Sequence, residues 1–193
     1  VEDFEDASKT YDDYGFYSNG SNSFVGGKQG SGVTAALTSG DYSFNERYMG
    51  YDFSNANNGE ALGEGTYHVR FSYNSYDNAS RNDICFANAS NVSTAYKSVI
   101  LSTETLNSFG NQWVDIDIEF EIPSRNWTAT VVSPSGQTHT ASGTYSNSNN
   151  QIPAISWWTK PTSNFKSTTA PAVDNFYVTK ELENTTLDDS AFM

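Results

Sequence analysis

The sequence predicts an all-β protein, a single antiparallel β-sandwich, and three observations carry that prediction. The first is alternation. Val114, Ile116, Ile118, Phe120 and Ile122 alternate without a miss with Trp113, Asp115, Asp117, Glu119 and Glu121. Successive strand residues face opposite sides of a sheet, so this is a strand with one buried face and one wet, acidic face. The second is the turn Pro123-Ser124-Arg125-Asn126, which reverses the chain into Trp127, Ala129 and Val131 alternating with Thr128 and Thr130. Two such runs about a short turn make an antiparallel hairpin. The third is composition: 15 % aromatic residues, with 12 Tyr and 12 Phe against 10 Lys plus Arg, and no run with a 3.6-residue apolar period.

Further strand candidates recur at short intervals along the chain. They are Val1–Ala7, Gly15–Asn19, Ser23–Gly27, Val33–Thr38, Tyr42–Met49, Thr66–Asn74, Asp83–Asn88 and Ser98–Thr103, then Gln112–Ile122, Trp127–Ser133, Gln137–Ser142, Ile155–Lys160 and Val173–Thr179. Clusters of Gly, Asn, Ser and Asp separate them, as in sandwiches and barrels. Gly26–Gly32 and Ser146–Asn150 read as loops. No repeat and no linker divides residues 1–182, so one domain is expected there, and 193 residues suffice for one sandwich with a buried core. Residues 183–193 are acidic and polar and read as a tail or linker.

Charge narrows the function. A net charge of −13 argues against nucleic acid, whose phosphates need a basic patch, and disfavours anionic membranes and anionic polymers. Neutral ligands and divalent cations remain. No apolar run is long enough to span a membrane. The chain starts at Val1 without a signal peptide, which reads as a mature or excised form. Cys85 is the only cysteine, so it forms no internal disulfide and reads as a small packed side chain. Asn-X-Ser/Thr sequons stand at Asn78, Asn88, Asn91, Asn126 and Asn184 and matter only in a glycosylating host. The acidic, cysteine-poor, Asn/Ser/Thr-rich composition fits a secreted or surface-attached extracellular module of bacterial type, part of a larger protein.

Aromatic residues sort by the same alternation. Tyr67, Val69, Phe71 and Tyr73 form a core face that leaves His68, Arg70, Ser72 and Asn74 outside. Ile155 and Trp157 share one face, and Ser156, Trp158 and Lys160 share the other. Trp127 and Trp157 are thus expected in the core and Trp113 and Trp158 on the surface. An exposed indole is costly to leave wet unless it serves an interaction. The apolar C–H face of a sugar ring stacks on such a ring, while its hydroxyls bond to nearby polar side chains. The residues expected to bind a polysaccharide are Trp158 and Trp113, helped by Tyr48 within the tyrosine-rich Tyr42–Tyr51 segment, with Arg70, Asn74 and Lys160 orienting hydroxyls. One or two exposed indoles make no planar row, so a soluble or amorphous neutral glycan, starch or a plant β-glucan, fits better than a crystalline surface.

The termini carry a resemblance. Phe4-Glu5-Asp6 opens the chain and Val173-Asp174-Asn175-Phe176-Tyr177-Val178-Thr179 closes it. These segments, with the hairpin from Trp113 to Val132, resemble the bacterial carbohydrate-binding modules of β-jelly-roll type. The resemblance implies a jelly-roll sandwich that binds a polysaccharide without cleaving it. It also implies a structural calcium shared by a first-strand carboxylate, Glu5 (or Glu2 or Asp3), and Asp174. Alternation independently sets Asp174 inward with Phe176 and Val178. A buried carboxylate is disfavoured unless paired or metal-bound, and calcium takes oxygen ligands. A salt bridge to Arg47 or Arg70 is the alternative.

An enzymatic reading of the Asp115–Glu121 strand is the rival: a glycoside hydrolase or polysaccharide lyase on a concanavalin-like jelly roll. Retaining glycosidases of that fold carry Glu-x-Asp-x-Glu on one strand, with carboxyl groups about 5–5.5 Å apart. Here Asp115, one methylene shorter, stands where the nucleophilic Glu belongs, and no companion motif accompanies it. His68 and His139 stand singly, with no serine elbow or Cys/His pair beside them. A purely structural or adhesive surface domain is the third reading.

Overall fold

Strands rich in β-branched and aromatic residues, each with one apolar side, can only be stabilised by burying that side against another sheet. The computed structural model describes residues 4–6, 8–10, 13–18, 23–28, 31–34, 47–75, 79–87, 97–146, 151–161 and 171–182, and there two antiparallel sheets do this. One has the order β1 (Phe16–Ser18), β4 (Arg47–Asp52), β11 (Ala154–Pro161), β6 (Ala79–Ala87) and β7 (Lys97–Leu101). The other runs β10 (Thr138–Thr144), β9 (Asn126–Val132), β8 (Val114–Ile122), β5 (Gly65–Asn74), β12 (Ala172–Lys180), β3 (Ser31–Thr34) and β2 (Ser23–Gly26). The fold is an all-β antiparallel sandwich of jelly-roll type.

The β8–β9 hairpin follows the alternation residue by residue. Val114, Ile116, Ile118, Phe120 and Ile122 are buried, and Asp115, Glu119 and Glu121 are exposed. Phe120 pairs with Trp127 and Ile118 with Ala129. The turn closes where the Arg125 N–H donates to the Glu121 carbonyl at 2.8 Å, with Arg125 left-handed at φ 64°. The core is aromatic. Trp157 is 1 % exposed and packs with Phe71, Phe176 and Phe16 at ring-centroid distances of 5.2, 5.8 and 5.9 Å. Trp127 is also buried.

Several sequence-based expectations change. Residues 4–6 form no strand, although Phe4 is buried and meets Tyr14 and Phe16 edge-on. Two short helical turns interrupt the strands: a 3₁₀ turn at Phe53–Asn57 and a helix α1 at Thr103–Asn107, which ends the expected Ser98–Thr103 strand at Leu101. Ser102 caps α1 by accepting the Thr105 N–H. A single turn has too few residues to show a helical period. The expected strand residues 35–38 and 42–46, the loop residues 147–150 and the tail 183–193 lie outside the described residues.

Asp174 is the instructive correction. It pairs with Ser72, on the outward side of β5, and the register between β12 and β5 shifts between Asp174 and Tyr177. Asn175, left-handed at φ 52°, sits inside that shift. One extra residue in a bulge reverses the phase of alternation, so Phe176 still reaches the core while Asp174 lies on the other face.

The five-stranded sheet has a second, smaller apolar cluster on its outer face: Trp158, Cys85 and Ala87, with Tyr17 and Tyr48 against them. Gly50 is needed there, because a Cβ at that position would overlap the Tyr17 ring. Gly50→Ala is expected to cost about 1–3 kcal/mol, the usual toll of overpacking. Urea unfolding checks this, and an unchanged midpoint would show that Tyr17 does not lie across the strand.

Candidate functional site

The outer face of the seven-stranded sheet gathers the polar residues of three adjacent strands. Directly opposed residues share a face, so the antiparallel register of β5 and β8 sets His68 opposite Glu119, Arg70 opposite Asp117 and Ser72 opposite Asp115. On the other side of β5, Tyr177 of β12 lies opposite Arg70. Each pairing becomes a contact. The Arg70 Nε donates to Asp117 Oδ2 at 2.7 Å, and Asp117, with Tyr177 beside it, raises the guanidinium pKa. The Ser72 hydroxyl donates to Asp115 Oδ1 at 2.7 Å.

Lys28, two residues beyond β2, closes one end. Its ammonium reaches both oxygens of Asp115 at 2.6 and 2.7 Å, while its own backbone N–H donates to Asp174 Oδ2 at 2.8 Å. The anchor at Asp174 thus fixes the segment that carries the cation. Between these groups lies a cleft of about 360 Å³ lined by Lys28, Arg70, Asp115, Asp117, Asn175 and Tyr177, among others. A second hollow of about 340 Å³ continues along the same face, between Glu119 and Glu121 of β8, Asn126 and Thr128 of β9, and Ser142 and Thr144 of β10.

His68 stands beside the cleft. Its Nδ1 is 2.9 Å from Asp117 Oδ1, and its Nε2 is 3.1 Å from Glu181 Oε1. Burial alone lowers the imidazolium pKa, but the hydrogen bonds to Asp117 and Glu181 outweigh it and raise the pKa above the ordinary histidine value.

The expected site residues scatter. Trp158 does lie on the face opposite Trp157, as alternation required, yet it is 3 % exposed and its ring meets Tyr48 at 5.0 Å. Its expected exposure is therefore corrected: alternation assigns a side chain to a face and says nothing of what covers that face. Tyr48 is half-buried in the same cluster. Trp113 is half-buried just before β8. Asn74 is 4 % exposed and donates to Asn111 Oδ1 at 3.3 Å. Lys160 pairs with Arg81 through the backbone, and its side chain lies outside the described part. Arg70 alone among these sits in the cleft.

Glu5 is exposed, and Asp174 is fully buried. The Asp174 carboxylate accepts N–H groups from Lys28 and Asn175, both at 2.8 Å. Among the described residues the clustered metal-binding groups are instead His68, Glu119 and Glu181. The residues missed in sequence are Lys28, Asn175 and Tyr177. Tyr177 carried a signal, alternating outward in the last strand, but its neighbour Arg70 is over a hundred positions away in the chain.

No family model matches the sequence, and no curated protein matches it. Solved structures do match in shape. Lectin II from Ulex europaeus superposes with a TM-score of 0.55 at 12 % identity, covering 87 % of this chain and 93 % of that one. The chain has a lectin-like fold. A structure of lectin UEA-II complexed with galactose gives a TM-score of 0.52 at 9 % identity, covering 88 % and 94 % of the two chains. At such identities the lectin-like sandwich is shared and the chemistry must be argued from this chain's own residues. No helix among the described residues is long and apolar enough to cross a membrane.

Proposed function

We propose that this chain is a non-catalytic glycan-binding domain, one sandwich over residues 1–182, that takes a neutral soluble or amorphous polysaccharide such as starch or a β-glucan. The observation that carries this reading is the cleft on the seven-stranded sheet, where Arg70–Asp117 and Lys28–Asp115 stand with Asn175 and Tyr177 around about 360 Å³. Sugar hydroxyls donate to carboxylates and accept from guanidinium and ammonium groups. Ion pairs that already hold one another in place spare the ligand the cost of ordering them. Tyr177, half-buried at the cleft, offers its ring to a sugar C–H face, and the half-buried Trp113 is the second aromatic surface. The lectin-like fold, found in a lectin complexed with galactose, supports the same reading. The net charge of −13 favours a neutral ligand over a polyanion, and the acidic, cysteine-poor composition fits an extracellular module of a secreted or surface protein.

Hydrolysis is not favoured. A retaining pair needs two carboxyl groups free to meet a glycosidic bond, about 5–5.5 Å apart. Asp115 instead holds Lys28 and Ser72, and Asp117 holds Arg70 and His68. Native gels containing starch, β-glucan or xylan, run beside a reducing-sugar assay, test the proposal. Retardation by at least one neutral polysaccharide without new reducing ends is expected. Product release, or free migration in every gel, would contradict it.

A further inference from the structure

Beside the cleft, the outer face brings together His68 of β5, Glu119 of β8 and Glu181, the residue after β12. Glu181 is not a loose end, because its N–H donates to the Thr66 carbonyl of β5 at 2.9 Å and fixes its backbone against that strand. The imidazole is largely covered, with 12 % of the side chain exposed, and its two nitrogens have different surroundings. Nδ1 faces Asp117 Oδ1 at 2.9 Å, whereas Nε2 faces Glu181 Oε1 at 3.1 Å and Glu119 Oε2 at 3.7 Å.

This division of labour is the one a ligating histidine needs. A carboxylate on the far nitrogen holds the ring in place, fixes the proton on Nδ1 and leaves the Nε2 lone pair for a metal. Arg70, bonded to Asp117 through Nε, stands 3.3 Å from Nδ1, on the side away from Nε2. Without a metal a proton bridges Nε2 and Glu181 Oε1 at 3.1 Å, with Glu119 Oε2 at 3.7 Å, and a divalent cation entering this gap displaces that proton and takes all three groups as ligands. We propose that His68, Glu119 and Glu181 bind one divalent transition-metal ion of the zinc class, with Asp117 as the positioning residue.

The distances select the ion. Tetrahedral coordination with bonds of about 2.0–2.1 Å sets neighbouring ligand atoms about 3.4 Å apart. The two separations from Nε2, 3.1 and 3.7 Å, straddle that value, and all three ligand atoms lie within 4.8 Å of one another. Calcium takes six to eight oxygens at about 2.3–2.6 Å; a nitrogen and two carboxylates fall short of that set. Mixed imidazole and carboxylate donors suit zinc and its neighbours, and three protein ligands leave a fourth position to water. This site stands or falls independently of glycan binding.

The test uses EDTA-treated, dialysed protein titrated with Zn²⁺ by calorimetry, and with Co²⁺ by visible absorption as a reporter of coordination geometry. One-to-one Zn²⁺ binding that raises the melting temperature is expected, with neither effect from Ca²⁺ at the same concentrations. His68→Gln and Glu181→Gln should each weaken Zn²⁺ binding at least tenfold. Glu121→Gln, on the same face but bonded to Ser124 outside the cluster, should bind as the wild type does. Asp117→Asn should weaken binding about 10–100-fold and shift the Co²⁺ spectrum, a change that lost stability alone would not produce. Absence of stoichiometric Zn²⁺ binding in the wild type overturns the proposal. So does wild-type affinity in Glu181→Gln, which lies past the last strand and decides the matter even if His68→Gln fails to fold.

Discussion

Trp157→Ala is expected to destabilise the protein by about 3–5 kcal/mol, the typical cost of emptying an aromatic core site. For a chain of this size that is a fall in melting temperature of about 6–20 °C, at roughly 2–4 °C per kcal/mol. The reason is local. Trp157 is 1 % exposed and touches Phe16 from the five-stranded sheet and Phe71 and Phe176 from the seven-stranded one, so its removal opens a cavity where both sheets meet. Trp158→Ala is expected to destabilise as well, toward the lower end of the same range, about 3 kcal/mol. Its ring is covered on the opposite face and packs against Tyr48. Paired urea unfolding curves check both. A Trp158→Ala protein as stable as the wild type would return that indole to the surface as a stacking platform.

The second large effect concerns binding. Arg70→Ala is expected to weaken the retained polysaccharide at least tenfold, since a hydrogen bond from a charged group contributes about 1.5–3 kcal/mol and tenfold is about 1.4 kcal/mol. Stability should move little. The Arg70 side chain is 39 % exposed and its partner Asp117 37 %, and exposed ion pairs contribute about 0–1 kcal/mol. Affinity electrophoresis across polysaccharide concentrations measures the first effect and thermal melting the second. Unchanged retardation would place the ligand away from the cleft.

Much of the fold was legible because period-2 alternation is a local property. Val114–Ile122 and Thr66–Asn74 each declared their buried and wet faces residue by residue, and both faces are as declared from Val114 to Phe120 and from Tyr67 to Phe71. The same rule failed where the backbone broke its own period. The bulge at Asn175 moved Asp174 to the other face, although the carboxylate is still buried there. It also failed where coverage mattered more than direction: Trp158 points as expected and is nonetheless buried.

The site itself was legible only in halves. His68 and Arg70 were seen on one wet face, and the carboxylates from Asp115 to Glu121 on another. That the two faces are one depends on β5 lying beside β8 in a particular register. Register is set by the whole sheet and not by either segment alone. Lys28 was less accessible still, since its reach to Asp115 joins residues 87 positions apart.

Backbone amide chemical-shift mapping, with oligosaccharides cut from the polysaccharide that retards the protein most, tests the central claim most directly. Saturable shifts should cluster on Arg70, Ser72, Asp117, Asn175 and Tyr177, across the outer face of β5, β8 and β12, with the Tyr48–Trp158 face unmoved. Shifts confined to Tyr48, Trp158 and their neighbours, or no shift with any oligosaccharide tried, would contradict the account.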